Sequence, residues 1–315
     1  MARTSAWISW AARAVAGLAL AVVAWALLTA WGGVWHSHPA YAVLLLLTVL
    51  GALAALTVSI LRSRPGTARR APTWLRIVGI VLGAAWVIAI AWLRPFSAIE
   101  PALTAMESDA EVTATETATT IVLEPADASG MSALAFQPGA RVDPRAYAAV
   151  LRPLAEAGHP VVIVKQPLGI GFLALDGLDV ARSTGVDADV WALGGHSLGG
   201  TVAALEALAE GVDDDLRGLV LFASYPAGDM KDFAGEVTSI SGSQDGLSTP
   251  AKIEASRADL PATASFVVVE GASHAQFGDY GPQPGDGVGT LSDDEARDQI
   301  AAAALEFMDF LTPLP

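Results

Sequence analysis

Twenty-one consecutive residues, Tyr41 to Leu61, carry no charge. About 20 such residues are enough to cross the hydrocarbon of a bilayer as a helix. Ala14 to Trp35 is equally free of charge, and Ile77 to Leu93 is a shorter apolar run bracketed by Arg76 and Arg94. Trp74, Trp86 and Trp92 lie near the ends of that third run, where interfacial tryptophans are expected. Three transmembrane helices follow, at about 14–35, 41–61 and 77–93, making residues 1–94 a membrane anchor. The alternative for the first run is a cleaved signal peptide, but the run is long for one and two further spans follow it.

The whole chain is 53% hydrophobic and 16% charged, more apolar than an ordinary soluble protein. Charge is also unevenly divided. All 33 acidic residues lie at or after Glu100, whereas eight of the 18 basic ones precede it, and residues 95–315 hold ten basic and 33 acidic side chains, a formal charge of −23. Nucleic acid and anionic surfaces are excluded as partners of that half, whose charge reads as a solvated face. The stretch Leu61 to Arg76 carries five arginines and no acid, while the turn His36-Ser37-His38-Pro39 carries no fixed charge. The arginine loop is therefore expected in the cytoplasm, and an odd number of spans delivers everything after Arg94 to the outer side of the cell membrane. A metal-binding reading of His36 and His38 is weaker than a plain interfacial turn. With no cysteine, disulfides, thiolate nucleophiles and Cys-ligated metals are excluded.

Residues 95–118, with Glu107, Asp109, Glu111 and a run of Thr and Ala, show neither helical nor strand periodicity and read as a polar linker. A second domain is expected over 119–315. There, short apolar runs alternate with helix-length segments, the pattern of a mostly parallel sheet covered by helices. Strands are expected at Thr120–Leu123, Ala133–Phe136, Val161–Val164, Val190–Leu193, Gly218–Phe222, Val237–Ile240 and Ser265–Val269. Helices are expected at Pro144–Ala157, opened by Asp143 as cap and Pro144 at the first position, and at Leu198–Glu210 and Asp293–Phe310.

Between one of those strands and one of those helices stands Gly194-Gly195-His196-Ser197-Leu198-Gly199-Gly200. A Gly-x-Ser-x-Gly core in strand–turn–helix context is the pattern of a nucleophile elbow, in which Gly195 and Gly199 must lack bulk so that the turn can lift Ser197 clear of the sheet. The bland alternative is a glycine-rich turn. A serine hydroxyl needs a histidine to take its proton and a carboxylate to orient that histidine. His274 is the only histidine after Ser197, just past the last expected strand. Asp245 follows the strand Val237–Ile240 at the same carboxyl edge, with Asp229 or Asp232 as fallback and Glu270 too close to its own strand. An oxyanion needs two backbone donors. Leu198 N–H is one, and Ala140 N–H, preferred narrowly over that of Gly139, is the other; Gly139 lets the backbone approach closely.

These residues give the chain a resemblance to the α/β-hydrolase family 5 domain, distantly related to dienelactone hydrolases and seen in bacterial membrane-attached proteins. It extends over about 125–311 and rests on three ordered motifs. They are Phe136-x-Pro138-Gly139 with Val142-Asp143-Pro144-x-x-Tyr147, the glycine-rich elbow, and the segment His274-Ala275-Gln276-Phe277-Gly278-Asp279-Tyr280-Gly281-x-Gln283-x-Gly285-Asp286-Gly287. The resemblance implies an α/β-hydrolase fold and a triad on Ser197, Asp245 and His274, but no particular substrate. Dienelactone hydrolases use a cysteine nucleophile; the serine here departs from them.

Only Ala223 to Glu236 separates the two strands between which relatives insert a cap, so no cap domain is expected and the site should be open or covered only by loops, suiting small or exposed ester-like groups rather than a long buried chain. Lys165 could pair a substrate carboxylate or form a structural ion pair; Asp279 and Asp286 lack metal-site spacing and read as loop-forming. The expectation is a membrane-anchored serine esterase that needs no cofactor or metal. Its rivals are acyl transfer to envelope components and a binding protein that keeps the fold without turnover. A sensor or transporter role for the spans lacks the intramembrane ionisable groups it would need.

Overall fold

The computed structural model describes residues 2–61, 72–127, 132–212 and 215–311. The arginines at 62, 64, 69 and 70, on which the expected orientation rests, lie outside them. The chain divides into two compact units, one of residues 1–35 and 39–95, the other of residues 36–38 and 96–315.

The first unit is built from α1 (Ala2–Thr29), most of α2 (Trp31–His36), α3 (Ala40–Leu61) and α4 (Thr73–Trp92). Three stretches are long and apolar enough to cross a membrane: Ala6–Thr29, Ala40–Leu61 and Thr73–Trp92. The first differs from the expected 14–35. The helix extends through Arg13 because the guanidinium reaches α3, where Nε donates to Ser59 Oγ at 3.0 Å and Nη2 to Ser59 O at 3.3 Å. It stops at Thr29, before Gly32-Gly33, and the expected last turns form the separate α2. Trp86 Nε1 donates to Thr48 Oγ1 at 3.1 Å, a hydrogen bond made inside an apolar bundle.

The second unit is an eight-stranded sheet in the order β1-β2-β4-β3-β5-β6-β7-β8. Its strands are β1 (Val112–Glu116), β2 (Thr120–Pro125), β3 (Ser132–Gln137), β4 (Val161–Val164), β5 (Val190–His196), β6 (Leu216–Phe222), β7 (Glu236–Gly242) and β8 (Ser265–Val269). β1 and β2 run antiparallel to their neighbours and every other pairing is parallel. The helices are α5 (Ala148–Glu156), α6 (Gly177–Arg182), α7 (Leu198–Glu210), α8 (Pro250–Ser256) and α9 (Asp293–Leu311). Period-two alternation assigns the sheet's faces. Leu134 and Phe136 of β3 join one core cluster with Leu151 and Leu154 of α5 and Ile300 and Phe307 of α9. Ala133 and Ala135 join the other, with Leu178 of α6 and Ala203 and Ala207 of α7.

The stretch 95–118 is not a linker. β1 lies inside it, paired from Val112↔Pro125 to Glu116↔Ile121, and Ala98, Leu103 and Met106 pack on the core. Its Val-Thr-Ala-Thr-Glu sequence buries Val112 alone, so the hydrophobic alternation is too faint to read as a strand. Asp143 does cap the following turn, accepting from Arg145 N–H, but that turn is a 3-10 segment, Pro144–Tyr147, which α5 then continues. α6 and α8, of six and seven residues, are helices beyond the three expected from the sequence. Between β6 and β7, residues 223–235 form no helix or strand.

Candidate active site

Ser197 stands between the end of β5 and the start of α7 with φ 53° and ψ −123°, a region costly for a residue with a side chain. Its neighbours explain why the strain persists. A Cβ on Gly195 would meet Gly199 C at 2.5 Å, and one on Gly199 would meet Gln137 O at 2.0 Å and Pro138 O at 2.4 Å. The first turn of α7 is thus pressed against the end of β3, and only glycine fits between. The turn is also held by hydrogen bonds, Ser197 N–H to Phe222 O at 3.0 Å and Ser224 Oγ–H to Ser197 O at 2.6 Å.

Asp245 and His274, from the loops after β7 and β8, meet in the interior. Asp245 Oδ2 lies 2.8 Å from His274 Nδ1, both side chains being fully buried. The other oxygen, Oδ1, accepts from the amides of Leu247 and Ser248 at 2.7 Å each, so the carboxylate cannot rotate freely. A carboxylate beside Nδ1 calls for the proton there, which leaves Nε2 as the imidazole's acceptor. Nε2 is buried and has no hydrogen-bond partner among the described residues. The fallback acids are elsewhere: Asp229 pairs with Lys231 on the surface and Asp232 is exposed, as is Glu270, the acid set aside as too close to its strand.

The loop after β3 carries the second candidate donor. Gly139 N–H is taken, donating to Tyr147 Oη at 2.8 Å, whereas the amides of Ala140 and Leu198 donate to no other group among the described residues. Tyr147 Oη also shares a hydrogen bond with His196 Nδ1, 2.9 Å away. His196 is fully buried with its ring centroid 4.5 Å from that of His274, and burial first, then the repulsion between the two imidazoles when both are protonated, holds its pKa well below the usual histidine value. A neutral His196 therefore links the donor loop to the histidine of the pair.

Asp286 performs a related task. Oδ1 accepts from Gly246 N–H at 3.0 Å, His274 N–H at 3.1 Å and Gly287 N–H at 2.6 Å, while Oδ2 accepts from Ala275 N–H at 2.8 Å. It ties the loop bearing Asp245 to the loop bearing His274, a larger role than loop formation. Asp279 instead pairs with Arg297 at 2.7 Å. Lys165 is buried against Glu116 Oε1 at 2.6 Å and Thr117 O at 2.7 Å, the structural ion pair rather than the substrate contact. Tyr147 and Asp286 both fall inside the motifs that carry the resemblance, and His196 is the unspecified residue of the elbow. Gln137, Gln166 and Glu206 had no such signal; they form a buried knot under the donor loop, with Gln166 Nε2 donating to Gln137 Oε1 at 2.8 Å and to Pro138 O at 3.0 Å. Among the described residues no group of three histidines or carboxylates could hold a metal ion.

The model of a family described as the alpha/beta hydrolase family matches residues 133–298, just over half the chain. Among solved structures, an esterase from Pyrobaculum calidifontis is similar at 17% identity and a TM-score of 0.49, over 67% of this chain and 89% of that one. A dienelactone hydrolase from Anabaena variabilis is similar at 19% identity and a TM-score of 0.47, over 64% of this chain and 100% of that one. An esterase from Thermogutta terrifontis is similar at 16% identity and a TM-score of 0.43, over 64% and 92% respectively. No curated protein matches the sequence.

Proposed function

The chain belongs to the α/β-hydrolase family, and from that premise we propose that it is a membrane-anchored serine hydrolase that cleaves ester bonds through an acyl-enzyme on Ser197. The observation that carries this reading is the buried Asp245–His274 pair with its acceptor nitrogen unengaged, on the same sheet edge as a serine held in a strained elbow.

In the first half-reaction Ser197 Oγ attacks the ester carbonyl carbon as its proton passes to His274 Nε2. Asp245 keeps His274 in the tautomer that can accept that proton and stabilises the imidazolium formed. The carbonyl oxygen becomes an oxyanion that the Leu198 and Ala140 amides hold. Removing one such donor costs about 3 kcal/mol of transition-state stabilisation in a related setting. The tetrahedral species collapses by breaking the bond to the leaving oxygen, which takes the proton from His274 and departs as the alcohol. Water then loses a proton to His274 and attacks the acyl carbon, and Ser197 leaves with that proton as the carboxylic acid forms.

The three apolar helices support the anchor, and the arginine count supports an extracytoplasmic hydrolase domain. The test is labelling of the full chain by a fluorophosphonate probe. Wild type is expected to label, and Ser197→Ala and His274→Ala to abolish it; a folded wild type that does not label removes the serine chemistry and leaves a binding protein.

A further inference from the structure

On one flank of the site, three large apolar side chains are held out in water. Phe172, Leu173 and Leu175 are 49%, 54% and 55% exposed, although single exposed apolar residues are the usual pattern and clusters mark interaction sites. The segment cannot turn them inward, because its backbone is fastened from below. Arg141 N–H donates to Gly169 O at 2.7 Å, and Gly171 sits so close to α7 that a Cβ there would meet Val202 Cγ2 at 2.9 Å. Ala174, between the exposed residues, is 6% exposed with its carbonyl accepting from Gln137 Nε2 at 3.0 Å. Glu206 grips the far end by accepting from the amide of Gly177. Every anchor is on the donor loop, the end of β3 or the helix that follows Ser197.

A single apolar residue stands on the other flank. Val288 is 85% exposed in the glycine loop that Asp286 fastens to Gly246, beside Asp245 and His274. The sheet order sets the segment after β4 on one side of β5 and this loop, packed on the turn after β7, on the other. Ser197, at the end of β5, lies between two apolar projections.

We infer that Phe172, Leu173, Leu175 and Val288 form an apolar rim that binds the hydrocarbon chain of the substrate, which makes esters of medium or long acyl chains the substrate class. This rests on the serine-hydrolase reading above. With no helix or strand over residues 223–235 to form a cap, the chain would lie across the surface, and a rim whose backbone is already fastened loses little freedom when it does so.

The test uses the full chain in nanodiscs with soluble p-nitrophenyl acetate, butyrate and octanoate, comparing wild type with a Phe172→Ser, Leu173→Ser, Leu175→Ser triple variant and with Val288→Ser. A fully buried methylene is worth roughly fourfold in binding, so six methylenes half-covered on an open rim should raise kcat/KM for octanoate over acetate by about tenfold or more. The triple variant should bring that ratio to within about threefold, and Val288→Ser should lower it in part, with acetate turnover and fluorophosphonate labelling unchanged. A flat chain-length profile in wild type, or a preference that survives the triple variant, overturns the rim while leaving the serine hydrolase intact. Equal loss on acetate and octanoate also overturns it, since the segment then only supports the donor loop. No labelling and no turnover of any ester by wild type is the separate failure, that of the hydrolase reading itself.

Discussion

Asp286 shows how one side chain can govern a pair of residues it does not touch through their side chains. Three of the four amides it serves converge on Oδ1 and only Ala275 N–H is on Oδ2. Asp286→Asn can keep the three by presenting its carbonyl oxygen in the Oδ1 position, at the expense of setting an NH2 against Ala275 N–H. Asp286→Ala abandons all four. A displacement of about 1 Å at the base can cost about a hundredfold in rate. The expected order in kcat is therefore wild type, then Asn within about tenfold, then Ala lower by about a hundredfold, with labelling by fluorophosphonate slowed in parallel. Equal rates in all three would show that the two loops hold themselves. Each residue proposed to react has a sequence signal: Ser197 a motif, His274 its solitary position, Asp245 its place after a strand. The residues that hold them are less visible, because an acceptor such as Asp286 or Tyr147 matters through backbone amides brought near by folding, and amides leave no mark in a sequence.

At the scale of elements, the elbow is the point where a strand, a helix and the donor loop meet at glycine, and its packing sets a sharp limit. Gly199→Ala would drive a methyl into Gln137 O at 2.0 Å and Pro138 O at 2.4 Å, both rigid backbone. Relief requires α7 to withdraw from β3, which would pull the Leu198 amide away from that of Ala140. Overpacking of this kind costs about 3 kcal/mol and more where backbone must move. The variant should lose fluorophosphonate labelling together with stability, read as a fall in the thermal midpoint of the hydrolase unit. Retained labelling with a normal midpoint would mean that the helix and β3 are not in contact there. The parallel strands β3 to β7 were legible because strands buried on both faces read as continuous apolar runs. β1 was not, since an edge strand of threonine and alanine is stabilised mainly by its ladder to β2 rather than by burial. The short α6 and α8 carry too few turns for a helical period to emerge.

For the whole molecule, two buried groups pull its pH dependence in opposite directions. Glu206 is 3% exposed, and burial, the largest influence on it, pushes its pKa up to about 7 from an ordinary 4.5. The folded chain thus keeps a proton that the unfolded chain loses from about pH 4.5 upward, and stability falls as pH rises from 4.5 to about 7. At 1.36 kcal/mol per pKa unit the change is about 3 kcal/mol. His196 acts in the other sense. Its folded pKa is far below 6.5, so on acidification through 6.5 the unfolded chain gains a proton that the folded chain refuses, and stability falls. The two slopes oppose each other between 4.5 and 6.5, and only that of Glu206 remains from 6.5 to 7. Glu206→Gln removes its side of the balance: the variant should gain stability steadily as pH rises to 6.5 and then level off, whereas wild type should change little up to 6.5 and lose stability from there to about 7. Hydrogen exchange of the β3 and α7 amides reads this within the hydrolase unit, separately from the helices of the first unit. Parallel pH profiles for variant and wild type would mean that Glu206 is ionised in the folded chain. The anchoring of the Phe172–Leu175 segment through Gly177 and Gln137 would then rest on a buried charge and not on a neutral acid.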